Sequence, residues 1–127
     1  MKRTWVVIAA GLGLLSVALG AFGAHGLAGH FAANPDREPT FETAVSYQMY
    51  HALALLGVAV AARHWPGKLT HWAGILMTVG VIIFSGSLYI LSIFEVRAMG
   101  AAAPIGGALM IAGWLCLGLA AWRGADR

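Results

Sequence analysis

The chain has 127 residues, 60% of them hydrophobic and only 10% charged, with a net charge of +3 and a mean hydropathy of +0.78. A soluble domain carries about a quarter charged residues, so this composition excludes a water-soluble globule and makes a membrane protein the class to test. The single cysteine, Cys116, excludes an intramolecular disulfide and a cysteine-rich metal site. The basic residues sit at the ends of apolar runs, which reads as membrane topology and not as contact with nucleic acid.

The first run, Trp5 to Gly23, carries no charge. A bilayer core of about 30 Å needs roughly 20 helical residues at about 1.5 Å each, and this run suffices. Lys2 and Arg3 before it and the small residues Ala21 and Gly23 at its end also fit a signal peptide. Its apolar stretch is longer than a usual signal core, so a retained helix is expected. Ala9, Gly13, Ser16, Gly20 and Gly23 recur at alternating steps of four and three. That spacing lays small residues along one face, where a neighbouring backbone can come close.

Residues 24–40 form the longest connection. "AGHFAANP" reads as a short interfacial helix with Leu27 and Phe31 toward lipid, and "NPDREPT" as a turn that ends on Thr40 as a cap for the next helix. Three further runs qualify as spans, giving helices over 5–23, 41–62, 71–94 and 101–122. The second holds one acid, Glu42, at its start, where the helix dipole favours it. "HWPGKLTHW" (64–72) is a compact turn. Trp5, Trp65, Trp72 and Trp122 mark one interfacial level. In the last run Pro104 falls in the first turn, where its missing N–H is harmless. Gly106, Gly107 and Gly113 offer a second packing surface, and Gly118 follows less regularly.

The fold class expected is therefore all-α, an integral membrane four-helix bundle in one domain. Lys2, Arg3, Arg63, Lys68, Arg123 and Arg127 fall on one side of the spans, Arg37 and Arg97 on the other. Both termini are thus expected to be cytoplasmic.

The polar residues gather at one depth. His51 lies about 15 Å into the second span, close to the midplane, and shares a broad face with Tyr47 and Gln48. In the third span Ser85, Tyr89 and Ser92 recur at steps of four and three, with Ser85 near the level of His51 and Tyr89 somewhat above Tyr47 and Gln48. Polar groups in hydrocarbon should turn inward and bond one another. Tyr47, Gln48 and His51 are thus expected to meet Ser85 and Tyr89. Three readings of the cluster stand: structural glue, a pocket for a small ligand, lipid head group or ion, and a proton relay through His51. The relay would need acids, and the only one near is Glu42, about 13 Å closer to the surface.

No Ser–His–Asp order, H-E-x-x-H, phosphate-cradling loop or paired intramembrane carboxylate occurs, and G-x-G in the first run lies inside a span. His25 and His30 on one side, and His64 and His71 on the other, have no spacing that imposes a metal site. No C-x-x-C-H is present for haem. Neither a metal nor a cofactor is expected.

Four stretches, "ALGAFGAHGL" (18–27), "YQMYHALALL" (47–56), "FSGSLYIL" (84–91) and "APIGGALMIAGW" (103–114), occur in an order that resembles the domain of unknown function 423 family, the YgdD/YwdK group. The resemblance spans nearly the whole chain. It implies a small multi-pass protein, in bacteria of the inner membrane, and implies no reaction. The polar motif positions it carries are His25, Tyr47, Gln48, His51, Ser85, Ser87 and Tyr89, with Pro104, Gly106 and Gly107 as shape-setters. The loop that holds His30 does not match, so His30 inherits no role.

The functional expectation is a non-enzymatic membrane protein that associates with other membrane-protein helices, as an accessory subunit of a larger complex. Lipids are its other partners, and the same surfaces would allow a homo-oligomer. The alternative is a binder or transporter of a small solute, lipid or proton, using the cluster around His51 with His25 and Glu42 at its outer edge.

Overall fold

The structure, a computed structural model, describes residues 2–124. It holds five helices: α1 (Lys2–His25), α2 (Ala28–Ala33), α3 (Glu38–His64), α4 (Lys68–Phe94) and α5 (Met99–Gly124). Four of them are long and apolar enough to cross a membrane, and no strand occurs among the described residues. Each long helix runs past its apolar core into flanking polar residues. Arg63, His64 and Lys68 stay helical, because backbone at the interface still gains from internal hydrogen bonds.

Three extensive contacts build the bundle: α1 on α3, α3 on α4, and α4 on α5, while α3 and α5 meet at fewer points. Phe41 lies against Tyr89 and Ala44 against Ser85, so α3 and α4 are antiparallel. Gly13 faces Ala52 and Gly20 faces Val45, which makes α1 and α3 antiparallel as well. The helix starts and ends therefore gather at two ends. One holds the 65–67 turn with the start of α1 and the end of α5; the other holds α2 and the 95–98 turn.

Hydrocarbon offers no hydrophobic drive for helices to associate, so close backbone approach must do it. The stripe on α1 does face α3: Ala9 and Ser16 are buried, and a Cβ on Gly23 would collide with the Phe41 ring. On α5 the approach is closer. A Cβ at Gly106 would run into the backbone of Phe84 and Gly80, and one at Gly113 would lie 2.7 Å from Met77 Cγ. Gly107 is looser, 3.9 Å from the Phe84 ring. Outward faces are apolar and exposed, with Val7, Leu14, Ile111 and Leu115 turned to the bilayer.

Several local expectations fail. Trp5 is buried at 4% exposure with its ring in a notch left by Gly74 and 5.9 Å from His71, so it belongs to the core and not to an interfacial belt. Trp72 and Trp122 are exposed. The short helix α2 exists, but Phe31 points inward onto Phe41 at 5.4 Å instead of toward lipid, because the ring finds an aromatic partner there. Thr40 is not a cap: α3 begins earlier, with Arg37 at the N-cap and Pro39 in the first turn, where a missing N–H is tolerated. Likewise α5 begins at Met99, which places Pro104 beyond the first turn, where it forgoes the bond to the Gly100 carbonyl. Arg127, which entered the charge count, lies outside the described residues.

Candidate functional site

Gln48 is the centre of the polar cluster. Its Nε2 donates to the Leu12 carbonyl of α1 at 2.8 Å, and its Oε1 accepts from the Tyr89 hydroxyl of α4 at 2.5 Å. One amide therefore joins three helices, and the two bonds together fix which end of it is oxygen. Tyr89 begins higher on α4 than Gln48 on α3. A helical side chain leans toward the N-terminus of its own helix, which carries the Tyr89 hydroxyl down to the right depth.

Two hydroxyls complete the ties to α3. Ser16 Oγ of α1 donates to the Val45 carbonyl at 2.9 Å, and Ser85 Oγ of α4 donates to the neighbouring Ala44 carbonyl at 2.7 Å. Each carbonyl can accept a second bond beyond its helical one. Two consecutive residues of α3 are thus held from both flanks.

His51 does not bond Ser85 or Tyr89. Its Nδ1 lies 2.8 Å from the Tyr47 carbonyl, and its Nε2 lies 3.1 Å from Trp114 Nε1 of α5. A carbonyl can only accept and an indole N–H can only donate. Both contacts are satisfied together by one state, the neutral imidazole with its proton on Nδ1. Sequence reasoning missed Trp114 altogether. The signal was present: a tryptophan two turns before the interfacial Trp122 must find an acceptor for its N–H inside hydrocarbon.

The remaining predicted residues scatter. Tyr47 is exposed, its ring tilted against Phe84 and Tyr50 at 4.9 and 5.7 Å between centroids and stacked on the outer side of His51 at 6.2 Å. It therefore does not turn inward, although it shares a helical face with His51. Ser87 is buried but bonds the Ile83 carbonyl of its own helix. His25 is exposed at the end of α1, and Glu42 is exposed on a groove of about 300 Å³ between α1 and α3, beside Glu38 and Ser46. Neither takes part in the cluster's hydrogen bonds.

His30, to which no role was assigned, ties α2 to the end of α4 through its Nε2, which donates to the Ser92 carbonyl at 2.8 Å. Arg37 lies between Asp36 and Glu95 at 3.9 and 3.8 Å, clasping the two turns at that end. Glu95 itself is left-handed, at φ 58°, where it closes α4.

No buried side-chain nitrogen or oxygen among the described residues lacks a partner. Nor do three of the described His, Cys, Asp and Glu side chains come together to hold a metal ion. The cavities of about 300, 430 and 470 Å³ lie at the two ends of the bundle, and none is lined by Gln48, His51, Ser85 or Tyr89.

With four spans and this cluster in place, the chain matches the family model described as "Protein of unknown function (DUF423)" over residues 19–107. The chain belongs to the DUF423 family. It is 44% identical over 115 residues to a UPF0382 membrane protein of Staphylococcus haemolyticus, covering 91% of this chain and 92% of that one. To YwdK of Bacillus subtilis, a UPF0382 membrane protein, it is 43% identical over 121 residues, 94% of this chain and 96% of the relative. To the UPF0382 inner membrane protein YgdD of Escherichia coli K12 it is 36% identical over 122 residues, 96% and 92% of the two chains. No solved structure matches. The expected place in the bacterial inner membrane agrees with the name of the E. coli relative and with the four spans. The DUF423 match includes Gln48, His51, Ser85 and Tyr89 but stops before Trp114.

Proposed function

We propose that this DUF423 protein is a non-catalytic component of the bacterial inner membrane that works by lateral association with another integral membrane protein, as an accessory subunit. The observation that carries this reading is that every buried side-chain polar group among the described residues already has a partner, and the central ones are spent on ties between helices. Gln48, Ser16, Ser85, His51 and Trp114 hold α1, α4 and α5 onto α3. The surface left for function is then the outside of the bundle. Glycines open to that outside favour a helical neighbour: a Cβ at Gly11, Gly57 or Gly118 would meet nothing within 4 Å. Glycine inside a helix costs about 1 kcal/mol relative to alanine, a cost that close packing by a partner helix offsets.

Both termini are proposed to face the cytoplasm, supported by Arg3, Arg63, Lys68 and Arg123 at their end of the bundle against Arg37 and Arg97 at the other. The alternative of a solute or proton site at His51 draws no support from the geometry, since both ring nitrogens already have partners.

In-membrane photocrosslinking tests the proposal. A photoreactive residue placed in turn at Gly11, Gly57 and Gly118 should give one discrete protein adduct from one face. An adduct of twice the chain's mass would make the partner a second copy and contradict the accessory role. Lipid adducts alone from all three faces would remove the basis for association.

A further inference from the structure

The end of the bundle that holds the start of α1 and the end of α5 has a second feature, independent of the polar cluster. Residues 65–67 cross from α3 to α4 and lie on the end of α5, where the Trp65 ring sits on Gly124. Gly67 has φ 142° and ψ −172°, a conformation open essentially to glycine alone. Thr70 Oγ1 donates to the Trp65 carbonyl at 2.6 Å and fixes the turn from below. Between this turn, the first turn of α4 and the last turn of α5 lies a cavity of about 430 Å³.

Its lining is cationic. Lys68 and Arg123 face it beside His64, and no acid among the described residues does. The four described acids, Asp36, Glu38, Glu42 and Glu95, all belong to the opposite end of the bundle; Asp126 follows the last described residue. The backbone adds to the same sign. The first intrahelical bond of α4 is from His71 N–H to the Gly67 carbonyl, so the N–H groups of Lys68, Leu69 and Thr70 have no partner within the helix. Glycine at the N-cap supplies no side chain to occupy them. On the other side of the same turn a cavity of about 470 Å³ is lined by Arg3 and His71. The positive lining is therefore a collar around residues 65–67.

We propose that the cavity between α4 and α5 binds the phosphate of an anionic phospholipid, held by Lys68 and Arg123 against the start of α4. The depth identifies the source of the phosphate. Every lining residue is the first or last turn of a membrane-spanning helix or the turn between two, which is the level of lipid headgroups. Trp72 and Trp122, exposed at the same ends of α4 and α5, are the residues that anchor at that level. The acyl chains would lie along the apolar outer faces of the two helices.

Native mass spectrometry of the full chain in maltoside micelles tests this, titrated with dioleoyl phosphatidylglycerol or dioleoyl phosphatidylcholine. The wild type should retain phosphatidylglycerol in preference to phosphatidylcholine. Each basic residue near a lipid surface contributes about 1 kcal/mol. Lys68→Gln with Arg123→Gln should therefore weaken phosphatidylglycerol retention roughly thirtyfold, and Lys68→Gln alone roughly fivefold, with phosphatidylcholine unchanged. Lys68→Arg should restore most of the affinity, and Arg97→Gln, at the opposite end, should change nothing. Helix content by circular dichroism checks that each variant is folded, and the single variants carry the test if the double one is not. Equal phosphatidylglycerol retention in wild type and variants would overturn the proposal. So would displacement of the lipid by millimolar inorganic phosphate, which would assign the site to a free anion.

Discussion

Replacing Gln48 with leucine tests whether the polar cluster holds the bundle together. The side chain makes two bonds, to Leu12 on α1 and from Tyr89 on α4. Side-chain bonds between membrane helices average about 0.6 kcal/mol and reach about 1.7. Losing two therefore costs about 1.2 kcal/mol. The Leu12 carbonyl keeps its helical partner, but the Tyr89 hydroxyl is left buried without an acceptor, which adds about 1 kcal/mol. Gln48→Leu should thus destabilise by about 2 kcal/mol, and Tyr89→Phe by about 1.6, since it strands the buried Gln48 Oε1 in turn. In the double variant neither group is stranded and the shared bond is lost only once, so the loss should fall short of the summed single losses by about 2.5 kcal/mol. The assay is reversible unfolding in mixed micelles at rising dodecyl sulfate fraction, followed by circular dichroism. Additivity within about 0.3 kcal/mol, or a Gln48→Leu protein as stable as wild type, would refute the idea that this amide is a structural tie.

Gly106→Ala should cost about 3 kcal/mol or prevent folding, because its Cβ would enter the backbone of Phe84 and Gly80. Gly118→Ala, with nothing near the new methyl, should be neutral or stabilise by up to about 1 kcal/mol in the same assay. The side-chain 15N shifts of His51 should report the Nδ1–H tautomer, and Trp114→Phe should move the Nε2 resonance while the Tyr47 carbonyl keeps the proton on Nδ1; an Nε2–H signal in the wild type would contradict the assigned geometry. For topology, a fluorescent protein fused to the C-terminus should fold and fluoresce, whereas alkaline phosphatase fused there should be inactive. A cysteine replacing Asp36 should react with a membrane-impermeant maleimide added from outside. The opposite pattern would invert the orientation.

The spans were legible because each charge-free run exceeds the length a bilayer requires, and nothing in a soluble fold uses four such runs. The α1 stripe could also be read: glycines and small residues at steps of three and four have one reason to share a face, and that face does meet α3. Gln48 and Tyr89 could be paired because depth and facing suffice for neighbouring helices. His51 with Trp114 could not. That pair joins α3 to α5 past α4, and depends on how closely Gly80, Gly106 and Gly113 let α5 approach. Tyr47 was misplaced for a related reason. A shared helical face is broad enough that one residue can be buried while its neighbour a turn away meets lipid, and only the position of α4 decides between them. Trp5 reads as an interfacial anchor from its place at a helix end; the notch that buries it is made by Gly74, on another helix and 69 positions away.

The most direct test of the accessory role is native mass spectrometry of the tagged protein extracted from its own membrane in the mildest workable detergent. A second, different membrane protein should appear at fixed stoichiometry, retained alongside any bound lipid. A spectrum that contains only the 13.3 kDa chain, bare or carrying lipid alone, would contradict it.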